Sequence, residues 1–299
     1  MDQWLILRVQ RYGKNQYAPN FSLKNIVMTM ILGLQEPLVR CFLLLLFHQI
    51  IILFVIHHSQ MRSRGIVLHS LRYGDHRIIV DIFTETAGVV PFIVPQSRGG
   101  RDGMKASVWQ PLALVEVAWQ PDIKKNLQHP VELSLWQPWR TLTLNPKKIA
   151  IGLYLSEFLY HSLHREQENR PLFEFVVSAL SWFDERDDQF VNFHIVFLLH
   201  LTRFLGFLPN VEDWEDGCFF DLQAASFTRV RPYHKYYLEP EEAALVPKFL
   251  RMDVRSMRAV GLNRSLRQRA LEIVSEFYRL HIPEFPESRS LEVLAEVFE

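Results

Sequence analysis

Between Arg64 and Arg101 the chain reads RGIVLHSLRYGDHRIIVDIFTETAGVVPFIVPQSRGGR, three short alternating runs that end in a Gly/Arg loop. Side chains on a strand alternate between two faces, so apolar residues at every second position mark a half-buried strand. Gly65–Leu71 and Arg77–Thr84 are separated by Arg72-Tyr73-Gly74-Asp75-His76, a turn with its glycine. Ile78, Val80 and Ile82 share one face of the second run, and Val90, Phe92 and Val94 one face of the third, Gly88–Pro95. A fourth run, Pro111–Trp119, sets Ala113, Val115, Val117 and Trp119 against Leu112, Leu114, Glu116 and Ala118. In a fifth, Val131, Leu133 and Leu135 are expected to face inward, with Glu132 and Ser134 outward. Five such runs over Met61–Arg140 imply a closed or nearly closed sheet. A five-stranded OB-fold barrel is the expectation, with an SH3-like barrel next in line.

The third and fourth runs are joined by QSRGGRDGMKASVWQ, Gln96–Gln110, in which Arg98, Arg101 and Lys105 alternate with Gly99, Gly100 and Gly103. Glycines let the backbone approach a phosphate closely, and the cations supply charge without reading sequence. No Gly-Lys-Ser/Thr closes the loop, so it is not a nucleotide-binding P-loop; a plain solvated loop is the competing reading. Tyr73, on a turn beside Arg72 and Arg77, is placed to stack on a base, whereas Trp109 and Trp119 are alternatives better suited to the core.

From Asn145 the apolar period becomes helical. Asn145 is a cap and Pro146 suits the first turn of a helix running to about His164. Its apolar positions, Ile149, Leu153, Leu155, Phe158, Leu159 and Leu163, wrap most of the way round, which predicts a central helix. Pro171–Asp184 and Gln189–Leu205 are further apolar helices, the latter stopped by Gly206. Helices this apolar must bury one another, which predicts a bundle. Gly217–Leu222 and Ser226–Val230 read as a small hairpin inserted before helices near Pro240–Leu250 and Asn263–Leu280. In the last, Leu266, Ala270, Ile273, Val274 and Phe277 form the expected buried stripe, with Arg264, Arg267, Arg269 and Arg279 on other faces. The fold class is α+β, divided at 61–140 and 141–299.

The 299 residues are 48% hydrophobic with a formal net charge of zero, a globular composition that leaves room for a local basic patch. Two cysteines, Cys41 and Cys218, cannot build a disulfide framework or a four-ligand zinc site, which suits a reducing cytoplasm. Met1–Gln60 stands apart. Its run Cys41–Ile56 is a short transmembrane candidate by hydropathy, and it lies too late for a signal peptide. Met61 is followed at once by Arg62-Ser63-Arg64 and the first strand, leaving no linker between a membrane and a barrel. The expectation is a non-native or hydrophobic extension, with the functional chain starting at Met61; a real anchor and a cleaved leader are the other readings.

No G-x-S-x-G, H-E-x-x-H, G-x-G-x-x-G or Walker A motif occurs. Glu157, His161 and His164 have helical spacing but lack further metal ligands, and His194 and His200 are expected to be hydrogen-bonded core or rim residues. Asp184, Glu185, Asp187 and Asp188 read as a solvated turn. A site assembled from Cys218, Asp221 and His234 is the enzyme alternative, with no spacing to support it. The expectation is a binder, with no catalytic residues, metal or cofactor.

The stretch Arg64–Arg101 resembles the opening of the bacterial RecO family, as do the apolar helix Ile149–Leu163, the turn Leu205-Gly206-Phe207-Leu208-Pro209, the run Phe277–His281 and Arg289–Leu294. The resemblance covers Met61–Glu299. Many RecO proteins carry a four-cysteine zinc finger where this chain has only Cys218, around Asp213–Tyr237; the hairpin is expected to persist without metal, packed by Phe219, Phe220, Leu222, Phe227 and Tyr233. The resemblance implies a non-enzymatic, cytoplasmic mediator of recombinational DNA repair. Such a protein binds single- and double-stranded DNA, anneals complementary strands, and acts with RecR to load RecA, engaging the tail of single-stranded-DNA-binding protein through the bundle. On this reading the phosphate contacts are Arg98, Arg101 and Lys105, then Arg72 and Arg77. The alternative from another class is a membrane-anchored OB-fold adaptor that binds protein or carbohydrate.

Overall fold

In the computed structural model, which describes residues 60–95, 106–164, 166–188, 190–252 and 262–297, the alternating runs form one antiparallel sheet. Its strands are β1 (Met61–Tyr73), β2 (Arg77–Thr84), β3 (Gly88–Pro95), β4 (Leu114–Trp119) and β5 (Pro130–Gln137), in the order β3-β2-β1-β4-β5. β1 is longer than the run that predicts it because it serves two partners. Its first half pairs with β4, from Met61 opposite Trp119, and its second half with β2, as far as Tyr73 opposite Arg77. An irregularity between Val67 and His69 lets it bend from one to the other. The sheet closes where Gln128, in the β4–β5 loop, exchanges backbone hydrogen bonds of 2.9 Å with Pro91 and Ile93 of β3. This is an OB-type barrel. Its interior holds Val67, Ile78, Val80, Phe92, Val115 and Val117, and Trp119 stands edge-on to Phe92 with ring centroids 5.4 Å apart. Trp109 is buried there too.

Val131 departs from its expected inward position and is 62% exposed. Ala118 pairs with Glu132 and Trp119 with Pro130, so Val131 is the extra residue of a β-bulge and turns out of the barrel.

Helix α1 (Pro146–Leu163) begins where Asn145 caps it, the side-chain oxygen accepting from the backbone of Lys147 and Lys148. Leu155, Phe158, Leu159 and Leu163 are buried. Ile149 and Leu153, four residues apart on one face, stay partly exposed at 38% and 43% in a cleft with Gln110, Pro111 and Leu142, so the helix is enclosed over most of its circumference and open along one strip. α2 (Arg170–Glu185) and α3 (Phe193–Leu205) follow, and Gly206 ends α3 in the left-handed conformation at φ 85°. One apolar core joins barrel and helices. Ile66 and Leu68 of β1 and Phe83 of β2 pack with Leu155, Phe158 and Phe173, while Val67, between the first two, points into the barrel. Thus β1 is buried on both faces.

The insertion is a three-stranded sheet, β6 (Phe219–Asp221), β7 (Ser226–Thr228) and β8 (Tyr237–Leu238), in the order β7-β6-β8. Phe220, Leu222 and Phe227 pack it with Cys218, Leu238 and Phe277, whereas Tyr233, expected in that core, is fully exposed. Leu238 takes the buried position once the chain has turned back as β8. The helix expected at Pro240–Leu250 is two, α4 (Pro240–Ala243) and α5 (Val246–Arg251), because Pro247 has no N–H to continue the first and fits the opening turn of the second. In α6 (Arg264–His281) Ala270, Val274 and Phe277 are buried, but Leu266, one turn from the start, is exposed on an apolar cleft beside Phe249. α7 (Ser290–Val297) closes the described chain. Among the described residues no helix is long and apolar enough to cross a membrane; Cys41–Ile56 and the rest of residues 1–59 lie outside them.

Candidate nucleic-acid interface

The β1–β2 turn is built by Gly74 at φ +67°, a conformation that L-residues rarely adopt. It leaves Arg72, Tyr73 and Arg77 together at the end of the two strands, all exposed, with 54% of Tyr73 in solvent. Pairing sets Tyr73 opposite Arg77, and Arg77 opposite Pro95 of β3. Arg98, Arg101 and Lys105 lie outside the described residues, in the segment that leaves β3 at Pro95.

Charge separates these arginines from their neighbours. Arg62 is held by Glu132 at 2.6 Å and Glu116 at 3.7 Å. Arg64 makes two hydrogen bonds to Glu85, at 2.8 and 2.9 Å, beneath the ring of Trp136. That pairing, stronger than the burial opposing it, holds the Glu85 carboxyl below its ordinary range. Arg72 and Arg77 form no ion pair or side-chain hydrogen bond among the described residues, so their charge is available to a ligand. The two halves of the chain also differ. Met61–Arg140 carries ten Lys and Arg against seven Asp and Glu, net +3, whereas Thr141–Glu299 carries eighteen against twenty-four, net −6. The positive charge of the chain is therefore concentrated in the barrel part of the sequence.

The arginines of α6 are mostly engaged within the chain. Arg269 pairs with Glu242 at 2.7 Å, Arg279 with Glu276 and with Glu287 at 3.1 Å, and Arg267 donates to Asn192 Oδ1 at 3.0 Å. The other polar clusters are structural. Glu157 accepts from Ser288 Oγ and the backbone of Arg289 and Ser290 at 2.8–3.0 Å, receiving the start of α7. Burial opposes its ionisation, but those hydrogen bonds outweigh it and lower its pKa. His234 Nδ1 accepts from the Tyr236 N–H at 3.2 Å, so Nε2 carries the proton and faces Asp221 Oδ2 at 3.2 Å, while Cys218 packs among apolar side chains. Among the described residues no group of three or more His, Cys, Asp or Glu could hold a metal ion.

Two expectations are corrected. Asp184 is not a solvated turn residue: it is buried and accepts from the backbone N–H groups of Arg140, Thr141 and Leu142 at 2.7–2.9 Å. Lys148, fully buried beside it, donates to the carbonyls of Phe183 and Asp184 at 2.7 and 3.0 Å. This network ties the barrel-to-helix connection to the end of α2, and neither residue's role has a local signal, since the partners are about 40 positions apart. His200 Nε2 is bonded to the Met252 carbonyl at 2.6 Å as expected, but His194, wholly buried, has no hydrogen-bond partner on either ring nitrogen among the described residues. It lines a cleft of about 440 Å³ with Arg264, Ser265, Arg267 and Gln268, and burial, then the Arg267 charge, depress its pKa to about 3.

The family described as Recombination protein O N terminal matches residues 58–138, and Recombination protein O C terminal matches 144–290. The chain is similar to the "DNA repair protein RecO" of Phocaeicola vulgatus, 43% identical over 237 residues, which are 79% of this chain and 98% of the relative. It is 42% identical to the protein of that name from Bacteroides fragilis over 241 residues, 80% of this chain and 99% of the relative. The Flavobacterium johnsoniae protein is 31% identical over 240 residues, with the same coverage.

Proposed function

The chain belongs to the RecO family of DNA repair proteins, and from that premise we propose that it acts without catalysis, as a mediator that binds DNA through its barrel and anneals complementary strands. The observation that carries the reading is the pair Arg72 and Arg77, which no described residue engages, beside exposed Tyr73 on the positively charged part of the chain. Cations on a barrel surface screen the repulsion between two phosphate backbones, and base pairing supplies the free energy, so annealing needs no nucleotide hydrolysis. Tyr73 offers a stacking platform for an unpaired base. Arg98, Arg101 and Lys105 extend the phosphate contacts. In this reading 61–140 is the nucleic-acid-binding module and 141–299 the module for protein partners: RecR, and the acidic tail of single-stranded-DNA-binding protein, with RecA loaded as the outcome. The protein works in the cytoplasm with no metal or cofactor.

Fluorescence anisotropy of the full chain with labelled single-stranded DNA across a salt series tests this. On a single strand, each phosphate that a cation no longer neutralises lowers the slope of log affinity against log salt by about 0.7, so Arg72→Ala with Arg77→Ala is expected to lower it by about 1.4. An unchanged slope would remove these residues from the interface. Absence of binding at low salt would replace the reading with an adaptor that works through protein partners.

A further inference from the structure

We propose that the cleft between α3 and the start of α6 binds a phosphate group, free or carried as a phosphomonoester by a small organic molecule, with Arg264, Arg267 and the Ser265 N–H on the anion and His194 donating to it from the floor. The inference stands apart from the reading of the barrel. The cleft holds about 440 Å³, within the range of small-molecule pockets. Exposed Arg264 and Ser265 stand at its rim, Arg267 is half-buried, and buried His194, Leu271 and Leu294 close it below. A helix N-terminus with two arginines assigns nothing by itself. The observation that points to a ligand is His194. A buried polar atom ordinarily has a partner, from the protein or from something bound, because desolvating it unpaired is costly. His194 is 0% exposed, and neither ring nitrogen has a partner among the described residues. Further along the same helix His200 is bonded to the Met252 carbonyl at 2.6 Å, so the helix does supply partners where they are needed.

The surroundings select an anion. No Asp or Glu lines the cleft among the described residues. Arg264 and Arg267 of α6 border it, the Tyr154 ring of α1 stands edge-on to His194 at 5.9 Å, and α7 contributes apolar Leu294. Arg267 is set in place by donating to Asn192 Oδ1 at 3.0 Å and to the Leu262 carbonyl at 3.1 Å. Asn263 fixes the first turn of α6, its side chain accepting from the Leu266 N–H at 2.8 Å and the Ser265 hydroxyl at 2.9 Å. The turn therefore offers a helix dipole and two cations to one small volume, the arrangement that favours phosphate. Burial, then the Arg267 charge, hold the His194 pKa near 3, so at neutral pH the ring is uncharged and one nitrogen carries a proton to donate. A phosphate has oxygens enough to accept from that N–H, from Arg267 and from the first turn together. A backbone phosphodiester bears a substituent on either side and fits the floor of a cleft badly, which favours free phosphate or a monoester. Leu271 and Leu294 suit the organic part of a monoester.

Thermal unfolding of the full chain is followed with inorganic phosphate, deoxyadenosine monophosphate, deoxyadenosine and acetate, each against sodium chloride of equal ionic strength. A ligand that binds only the folded chain raises the midpoint. Phosphate and the nucleotide are expected to raise it, and deoxyadenosine and acetate to leave it in place. A larger rise with the nucleotide identifies a monoester as the occupant, and an equal rise free phosphate. Arg264→Ala, at an exposed position, is expected to keep the wild-type midpoint in chloride and to weaken phosphate binding, read by calorimetry, about ten-fold, the worth of one charge-assisted hydrogen bond. Proton–nitrogen correlation spectra of the histidine rings read the contact itself: phosphate shifts the one ring signal that is missing from His194→Gln. No rise with phosphate beyond that in chloride, an equal rise with acetate, unchanged phosphate affinity in Arg264→Ala, or a His194 signal that does not move overturns the inference.

Discussion

Gly88, the first residue of β3, lies against the backbone at Glu166: a Cβ on it would stand 2.2 Å from the Glu166 carbonyl oxygen and 2.7 Å from the Gln167 Cα. The neighbouring Val89 N–H donates to that carbonyl at 3.1 Å, so the contact docks the barrel on the α1–α2 connection. Gly88 also has φ +67°, strained for any other L-residue. Gly88→Ala therefore forces the two segments apart and is expected to destabilise the chain by about 3 kcal/mol, a fall of roughly 6–12 °C in midpoint for a unit of this size. Thermal unfolding followed by circular dichroism reads it directly. An unchanged midpoint would mean that the docking contributes nothing.

Lys148 and Asp184 hold the barrel-to-helix connection from inside. Burial lowers the Lys148 pKa, with the Asp184 charge partly offsetting it. Lys148→Met keeps the length of the side chain but removes the Nζ donor from the Phe183 and Asp184 carbonyls, leaving the Asp184 carbonyl only the Thr141 hydroxyl. The expected loss is about 2–4 kcal/mol in urea unfolding. A loss under about 0.5 kcal/mol would show that the network is dispensable.

His194 makes the fold sensitive to acid. Unfolded, it takes a proton near the ordinary histidine value of 6.5; folded, only near 3. Between those values the unfolded state holds the extra proton, so stability falls as pH drops from 6.5 toward 3, by up to about 1.4 kcal/mol per pH unit. Arg267 adds to the resistance against protonation, Arg264 lines the same cleft, and the Tyr154 ring stands edge-on at 5.9 Å. His194→Leu is expected to narrow the gap between urea midpoints at pH 7 and pH 5. Equal gaps in the variant and the wild type would assign the acid sensitivity elsewhere.

The small β6–β8 sheet is held by an apolar cluster in which Cys218 is one packed side chain. Prolonged treatment with a strong chelator is expected to leave both the thermal midpoint and the mini-sheet intact, and Cys218→Val to cost under about 1.5 kcal/mol. A lower midpoint after chelation, restored by zinc, would place a metal in this region.

Local signals carry most of the element plan. The period-two runs of β2 and β3, the Asn145 cap and the Gly206 stop all act within one turn or one strand, so residue order alone determines them. The same holds for the exposed turn of Arg72, Tyr73 and Arg77, because Gly74 and the alternation on either side are adjacent in sequence. Positions decided by distant partners are not legible in this way. Val131 faces outward because a bulge opposite Trp119 displaces it, and Asp184 is buried because three N–H groups about 40 residues earlier fold onto it. Periodicity reports which side chains share a face. Whether that face meets protein or water depends on the chain packed against it, and only the tertiary structure brings that chain there.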